Sequence, residues 1–180
     1  RNLLEISSNA FLTTEHGDTH TTLAKIKARA EGLICLAGGP DGPLGRLLGD
    51  GQGPAAETMC DRLRNIFPGR LYIELQRHGL ALERQIEPGL LKLAYECDIP
   101  LVATNDAYFA TADMYEAHDA LLCIADGTYV SESERRRLTE HHHFRSADAM
   151  RDLFSDLPEA IENTVVIARR CAYMPGERAP

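Results

Sequence analysis

The chain has 180 residues, 44% hydrophobic and 26% charged, which is ordinary globular composition and excludes a disordered tail, a collagen and a coiled coil. No apolar run approaches the ~20 residues needed to span a bilayer, and no charged-then-apolar leader opens the sequence, so no membrane role and a cytoplasmic protein are expected. The net charge of −8 argues against a self-sufficient grip on DNA, because affinity for nucleic acid begins with cation–phosphate contacts.

Cysteines 35, 60, 97, 123 and 171 are widely spaced, odd in number and without a CxxC pair. A disulfide framework or zinc finger is not expected, and the cysteines read as reduced, buried fillers of a cytosolic protein. The sequence starts at Arg1 and ends in Gly-Glu-Arg-Ala-Pro without a capped element, which reads as a piece of something longer.

In chain order, Asn2 to Phe11 has helical apolar spacing, followed by a polar His- and Thr-rich loop. Thr21 or Thr22 can cap a short helix carrying Leu23, Ile26 and Ala30. Gly32 to Ala37 is apolar on both faces and stops at Gly38-Gly39-Pro40, as a buried parallel strand does. A glycine-rich connection with a helical turn at Leu44 to Leu48 follows, then an amphipathic helix from Ala55 to Phe67 ended by Pro68-Gly69. Leu71 to Leu75 is predicted as a second strand, Ile86 to Cys97 as a helix and Pro100 to Thr104 as a third strand. Crossovers of this length make the unit β-α-β-α-β with parallel strands and right-handed connections.

Beyond Thr104 the pattern is helical at Asp113 to Ala125, then a long charged loop from Asp126 to Phe144. Ser146 caps a predicted helix from Ala147 to Phe154, and Pro158 opens a last helix to about Cys171 that is expected to bury Ile161, Val165, Ile167 and Ala168. Three parallel strands leave edges that natural proteins cover or close, and the two leading helices have no preceding strand to pack on. The fold expected is therefore the back half of a larger α/β layered domain or barrel, with a complete three-stranded domain as the alternative.

Functional groups in α/β folds gather at the carboxyl tips of the strands. Here the tips are Gly38-Gly39-Pro40, Gln76 to Gly79 and Asn105 to Tyr108. Asp106, directly after an apolar strand, is the best candidate for a divalent metal ligand, although Asn105 and Asp106 suit turn closure equally well on chemical grounds. The Gly38 to Pro43 segment lacks the Lys-Ser/Thr ending of a phosphate loop and reads as a sharp turn. Glu74 and His78 can form a carboxylate–imidazole pair. His141-His142-His143 invites a metal reading, but successive side chains of an extended chain alternate sides, and Arg135-Arg136-Arg137 lies close in sequence. With Glu132, Glu134 and Glu140 around the arginines, the region reads as a solvated, internally paired loop.

Taken together, several segments resemble one family. They are Glu31 to Pro40 (EGLICLAGGP), Leu71 to Gly79 (LYIELQRHG), Pro100 to Tyr108 (PLVATNDAY), Tyr115 to Ile124 (YEAHDALLCI), Phe144 to Met150 (FRSADAM) and Asp156 to Thr164 (DLPEAIENT). In this order and spacing they are similar to the PHP (polymerase and histidinol phosphatase) domain at the amino end of the bacterial DNA polymerase III alpha subunit, over nearly the whole chain.

The resemblance implies an α/β fold that is the parallel βαβαβ portion of a distorted PHP-type, TIM-like barrel with extra helices at the carboxyl end. Residues 1–180 would then be a partial PHP domain whose amino-terminal barrel strands, with a His-x-His motif, precede Arg1. Catalytic members of the family hold a metal cluster at the strand tips and hydrolyse phosphoesters, some as 3′–5′ exonucleases. Their Gly-Cys-Pro supplies a cysteine ligand where this chain has Gly38-Gly39-Pro40, and their Asp-x-His appears here as Asp106 followed two residues later by Tyr108. Glycine cannot coordinate, and a phenol with pKa about 10 replaces imidazole poorly.

The implied function is therefore a non-catalytic structural and interaction module of a DNA-directed DNA polymerase, a nucleotidyltransferase of DNA replication. Asp106 would be a vestigial ligand position, with no cofactor held. The implied partners are the remaining domains of the alpha subunit and the proofreading exonuclease subunit, with DNA reached only through the full polymerase. The alternative is a metal-dependent phosphoesterase or 3′–5′ exonuclease with Asp106, Glu74 and His78 rearranged around zinc or manganese.

Overall fold

The computed structural model describes residues 1–14, 19–173 and 176. The polar loop predicted after the first helix lies partly outside the described residues, as does most of the carboxyl-terminal tail. Three strands, β1 (Cys35–Gly38), β2 (Leu71–Leu75) and β3 (Leu101–Ala103), form one parallel sheet in the order β1-β2-β3. Cys35 stands opposite Leu71 and Gly38 opposite Glu74, while Ile73 stands opposite Leu101 and Leu75 opposite Ala103. The register brings all three carboxyl tips to one edge. Among the described residues this sheet does not close on itself.

The helices are α1 (Asn2–Thr13), α2 (Leu23–Lys27), α3 (Pro43–Gly49), α4 (Gly53–Ile66), α5 (Ala81–Glu96), α6 (Tyr115–Asp126), α7 (Ala147–Leu153) and α8 (Pro158–Arg170). Their ends follow local chemistry. Thr22 caps α2 by accepting from the Lys25 N–H, and Ser146 caps α7 by accepting from the Ala149 N–H, both as the sequence suggests. Helices α3 and α8 open with proline in the first turn, where a missing N–H is harmless. Gly127 ends α6 in the left-handed conformation.

The core lies between the sheet and its helices. Ile73, Leu75, Leu101 and Ala103 meet Leu44 of α3, Ala56, Cys60 and Leu63 of α4, Ile86, Leu90 and Leu93 of α5, and Ala160 of α8. Helix α8 packs on β3, and Asn163 donates to the Leu101 carbonyl at 2.8 Å, so a polar side chain covers the β3 edge. On the opposite edge, Leu36 of β1 is half-exposed.

Three expectations are corrected. Helix α5 begins at Ala81, not at Ile86, because the Glu83 carboxylate accepts from the Leu80 N–H at 3.0 Å and satisfies an orphan donor of the first turn. In α8 the buried residue is Ala160, whereas Val165 is 50% exposed and Ala168 is exposed. Ile161 and Ile167 are half-buried, so the sheet-facing stripe sits nearer the start of the helix than apolar spacing suggests. Cys171 is exposed, not a core filler; Cys60 and Cys123 are buried, and all five cysteines are free thiols. Burial raises the Cys60 and Cys35 thiols to about 11, so both are inert at neutral pH.

Arg77, just past β2, is a second organising residue. It forms paired hydrogen bonds with Glu87 (2.7 and 3.0 Å) and with Asp156 (2.7 and 2.8 Å), and it donates to the Leu153 carbonyl at 2.8 Å. Its guanidinium lies 4.6 Å from the ring centre of the fully buried Phe154. One side chain therefore clamps α5, α7 and the link between α7 and α8 to the tip of β2. Arg77→Met keeps the apolar stem but strands two carboxylates and a carbonyl. It is expected to lower unfolding free energy by about 2–3 kcal/mol in urea titration.

Gly38 is constrained by the sheet itself. A Cβ there would stand 2.1 Å from the Glu74 carbonyl oxygen, a backbone atom with no room to yield. Gly38→Ala is expected to separate the ends of β1 and β2 and cost about 3 kcal/mol, read as a lowered urea midpoint.

Candidate functional site at the strand tips

The carboxyl tips open into a cleft of about 400 Å³. Pro40 and Asp41 reach it from β1, Gln76 and His78 from β2, and Asp106 and Tyr108 from β3. The far wall is the segment between α6 and α7, through Arg136, Arg137, Leu138 and His142. That segment is stitched to the tip of β3. Tyr108 N–H donates to the His142 carbonyl at 2.8 Å, Phe144 N–H to the Phe109 carbonyl at 2.9 Å, and Asn105 Nδ2 to the His143 carbonyl at 2.9 Å. Asn105 therefore does not close a local turn with its side chain as the sequence suggests; it ties the tip of β3 to a carbonyl 38 residues away.

The floor is polar yet closed to solvent. His78 is 1% exposed, and its Nδ1 lies 2.8 Å from Glu83 Oε1. Glu83 Oε2 accepts the backbone N–H groups of His78 at 2.7 Å and Leu80 at 3.0 Å. Burial pushes the Glu83 carboxyl upward, but the hydrogen bonds from the His78 ring, Leu80 and the His78 backbone outweigh it and hold the group below 4.5. The carboxylate so held fixes the orientation of the His78 ring through Nδ1, and Nε2 is buried without a hydrogen-bond partner among the described residues.

His142 stacks on His78 with ring centres 4.0 Å apart. Its Nδ1 accepts from the Thr139 N–H at 3.2 Å, while the Thr139 hydroxyl donates to the His78 carbonyl at 2.7 Å. Burial, then the neighbouring His78, pushes the His142 pKa below its ordinary value of 6.5 and keeps the ring neutral.

The predicted site residues separate. Glu74 does not pair with His78: it accepts from the Thr104 hydroxyl at 2.7 Å, while β2 ends at Leu75 and the chain beyond it delivers His78 to Glu83. Asp106 lines the cleft but is exposed. Tyr108 has its phenol pKa raised by burial and then by the Asp106 carboxylate beside it. Gly39 lies in the left-handed region at φ +63°. Among the described residues, no three His, Cys, Asp or Glu side chains are grouped as a metal ligand set.

The basic and histidine runs also differ from the expected solvated loop. His142 is buried, while its neighbours His141 and His143 face a separate cavity. Arg135 pairs with Asp119 of α6 through two 2.6 Å bonds, and its side chain is 1% exposed. Arg136 pairs with Asp126 at 3.1 Å. The partners are thus helix aspartates, not the neighbouring glutamates. Sequence reasoning missed Glu83, Thr139 and the burial of His142; only Glu83 left a signal, an acid in the first turn of a helix.

Residues 1–78 match the PHP domain family. Over nearly its whole length the chain is similar to proteins named DNA polymerase III subunit alpha. It is 50% identical to the one from Caulobacter vibrioides over 180 residues, 99% of this chain and 16% of that protein. It is 40% identical to the one from Rickettsia bellii over 96% of this chain and 15% of that protein, and 37% identical to the one from Pseudomonas aeruginosa over 95% and 15%. The chain thus carries PHP-domain sequence and corresponds to the PHP region of those alpha subunits, spanning about one-sixth of their length. No helix among the described residues is long and apolar enough to cross a membrane.

The polar floor makes stability depend on pH with a definite sign. Glu83 and His142 both have folded pKa values below their ordinary ones, so the unfolded chain binds more protons and stability falls as pH falls. The His142 share is complete above 6.5 and is lost below it; the Glu83 share is lost only below 4.5. His142→Gln is expected to flatten the drop in urea midpoint between about pH 7.5 and about pH 5.5, the window in which only the histidine contributes.

Proposed function

We propose that this chain is a non-catalytic PHP unit, part of a distorted parallel barrel, that serves a replicative DNA polymerase as a structural and interaction module. Its partners on this reading are the remaining domains of the alpha subunit and the proofreading exonuclease subunit. DNA is reached through the whole polymerase, in keeping with a net charge of −8. Residues 1–180 are one partial PHP domain in this proposal, and no cofactor is held at the tips.

One observation carries the reading: the tip positions where catalytic relatives are expected to place sulfur and imidazole hold Gly39 and Tyr108. The loss extends to the backbone. At φ +63° a cysteine in place of Gly39 would cost about 1–2 kcal/mol in backbone strain, and its Cβ would stand 3.1 Å from Gln76 Oε1. Asp106 survives as a vestigial ligand position whose nearest partner is a phenol rather than a second donor. The donor set does not fit a metal cluster, and no hydrolytic step is derived through one.

A second reading has a specific observation in its favour. His78 Nδ1 is anchored on a carboxylate and its Nε2 is unpartnered, the arrangement that orients a metal-binding imidazole. A metal-dependent phosphoesterase or 3′–5′ exonuclease would use that nitrogen with Asp106 and Glu74.

The test uses full-length protein stripped with chelator and resupplied with manganese or zinc, on a 3′-labelled primer strand. The expected result is no metal-dependent release of the terminal nucleotide that Asp106→Ala abolishes. Hydrolysis restored by metal and lost in Asp106→Ala would replace the scaffold reading with the enzymatic one.

A further inference from the structure

A second cavity lies on the other side of the segment that walls the cleft. It has a volume of about 640 Å³, larger than the cleft and of the size of small-molecule sites. The 138–143 segment partitions the two spaces: Leu138 and His142 face the cleft, His141 and His143 the cavity. The beginning of α5 and the chain around α7 complete its walls.

The charge balance inside this cavity is opposite to that of the chain. Two carboxylates face it, and both are already committed. Glu87 is bound by Arg77, and Glu83 by the His78 ring and two backbone N–H groups. The basic and imidazole groups are less fully used. Arg84 makes a bond to the Gly79 carbonyl at 2.9 Å. His141 stands beside Gly79, and His143 uses Nδ1 on the Glu140 carbonyl at 2.8 Å, which leaves its other nitrogen open. Arg145 is the outstanding group: it lines the cavity, and its Nε is buried without a hydrogen-bond partner. Burial without a carboxylate partner lowers its pKa, with only the more distant field of Glu83 opposing. The Arg145 Nε–H is withdrawn from water and has no acceptor, while the side chain as a whole is half-buried at the cavity wall, and a bound anion would satisfy that donor.

The remaining wall is apolar, made by Pro88, Ala149 and Leu153. An anion with several oxygens suits a planar guanidinium fork joined by imidazoles and a second arginine, and an attached apolar or planar body suits the hydrocarbon wall. We propose that this cavity is a binding site for a small organic phosphate of the nucleoside monophosphate class, with Arg145 as the principal phosphate contact and the α5–α7 wall receiving the base. The proposal is independent of the scaffold reading, because it uses no residue of the strand-tip ligand positions.

The test is calorimetric titration of the full-length protein with deoxyadenosine 5′-monophosphate, in chelator so that metal-dependent nucleotide sites elsewhere stay silent. Saturable binding is expected, weakened about tenfold or more by Arg145→Gln. Ala149→Phe, which fills the cavity without changing charge, is expected to weaken it similarly, and Arg62→Gln, an exposed cation on α4, to leave it unchanged. Unfolding midpoints of each variant establish that it is folded. Deoxyadenosine without its phosphate is expected to bind far more weakly, and glutamate at the same concentration not to compete. The proposal is overturned by the absence of saturable binding, by affinity unchanged in both folded cavity variants, or by glutamate competing as well as the nucleotide. That last result would assign the pocket to a carboxylate of a polypeptide.

Discussion

The Glu83 carboxylate is the group on which this end of the molecule turns. Its two oxygens satisfy the His78 N–H, the Leu80 N–H and the His78 ring, all within five residues of chain. Without it, three polar groups would be buried unpaired, each at about 1–3 kcal/mol. With it, the exit of β2, the first turn of α5 and an imidazole become one rigid piece. His142 then stacks on that imidazole and Thr139 bonds its carbonyl, so the segment between α6 and α7 is positioned by the same carboxylate at one remove.

This arrangement shows how the strand tips are cross-linked by the chain's own side chains. In a metal-holding barrel the cation itself cross-links the tips. Here hydrogen bonds and ring stacking do so: Glu83 with His78, His142 with His78, Tyr108 with the His142 carbonyl, and Asn105 with the His143 carbonyl. Arg77 supplies a parallel clamp from the same loop to α5, α7 and the link that follows α7. A tip held in this way is rigid through its own side chains, which suits the proposed role of presenting surfaces to partners. Several apolar side chains are available for that. Phe11 and Leu12 of α1 and Ile124 of α6 are each at least 70% exposed, in line with a chain that covers one-sixth of its relatives' length.

Much of the architecture was legible in the residue pattern because it is local chemistry. Runs apolar on both faces made β1, β2 and β3 recognisable, and the Thr22 and Ser146 caps and the proline starts marked helix ends. The identity of the tip residues was equally legible: a glycine and a tyrosine where ligands were expected is a fact of composition. The histidine run does divide, with His141 and His143 facing one space and His142 another, but Glu140–His142 is a 3-10 turn, so extended-chain alternation is not the reason.

What the linear order did not contain is which side chains meet across the fold. Glu74 and His78 are four residues apart yet bond to different partners, because β2 ends at Leu75 and Glu83 arrives at His78 from the first turn of a helix. His142 is 64 residues beyond His78, and their stacking depends on where the segment after α6 returns to the sheet. Arg135 finds Asp119 rather than its glutamate neighbours because α6 runs beside it. By itself the sequence determined the strands, the helix ends and the absence of sulfur and imidazole at two tip positions, since these are properties of single residues and short windows. Only the tertiary structure decided the buried Glu83–His78–His142 assembly and the cavity behind it, because both are made by long-range packing that desolvates some polar groups and leaves the Arg145 Nε without a partner.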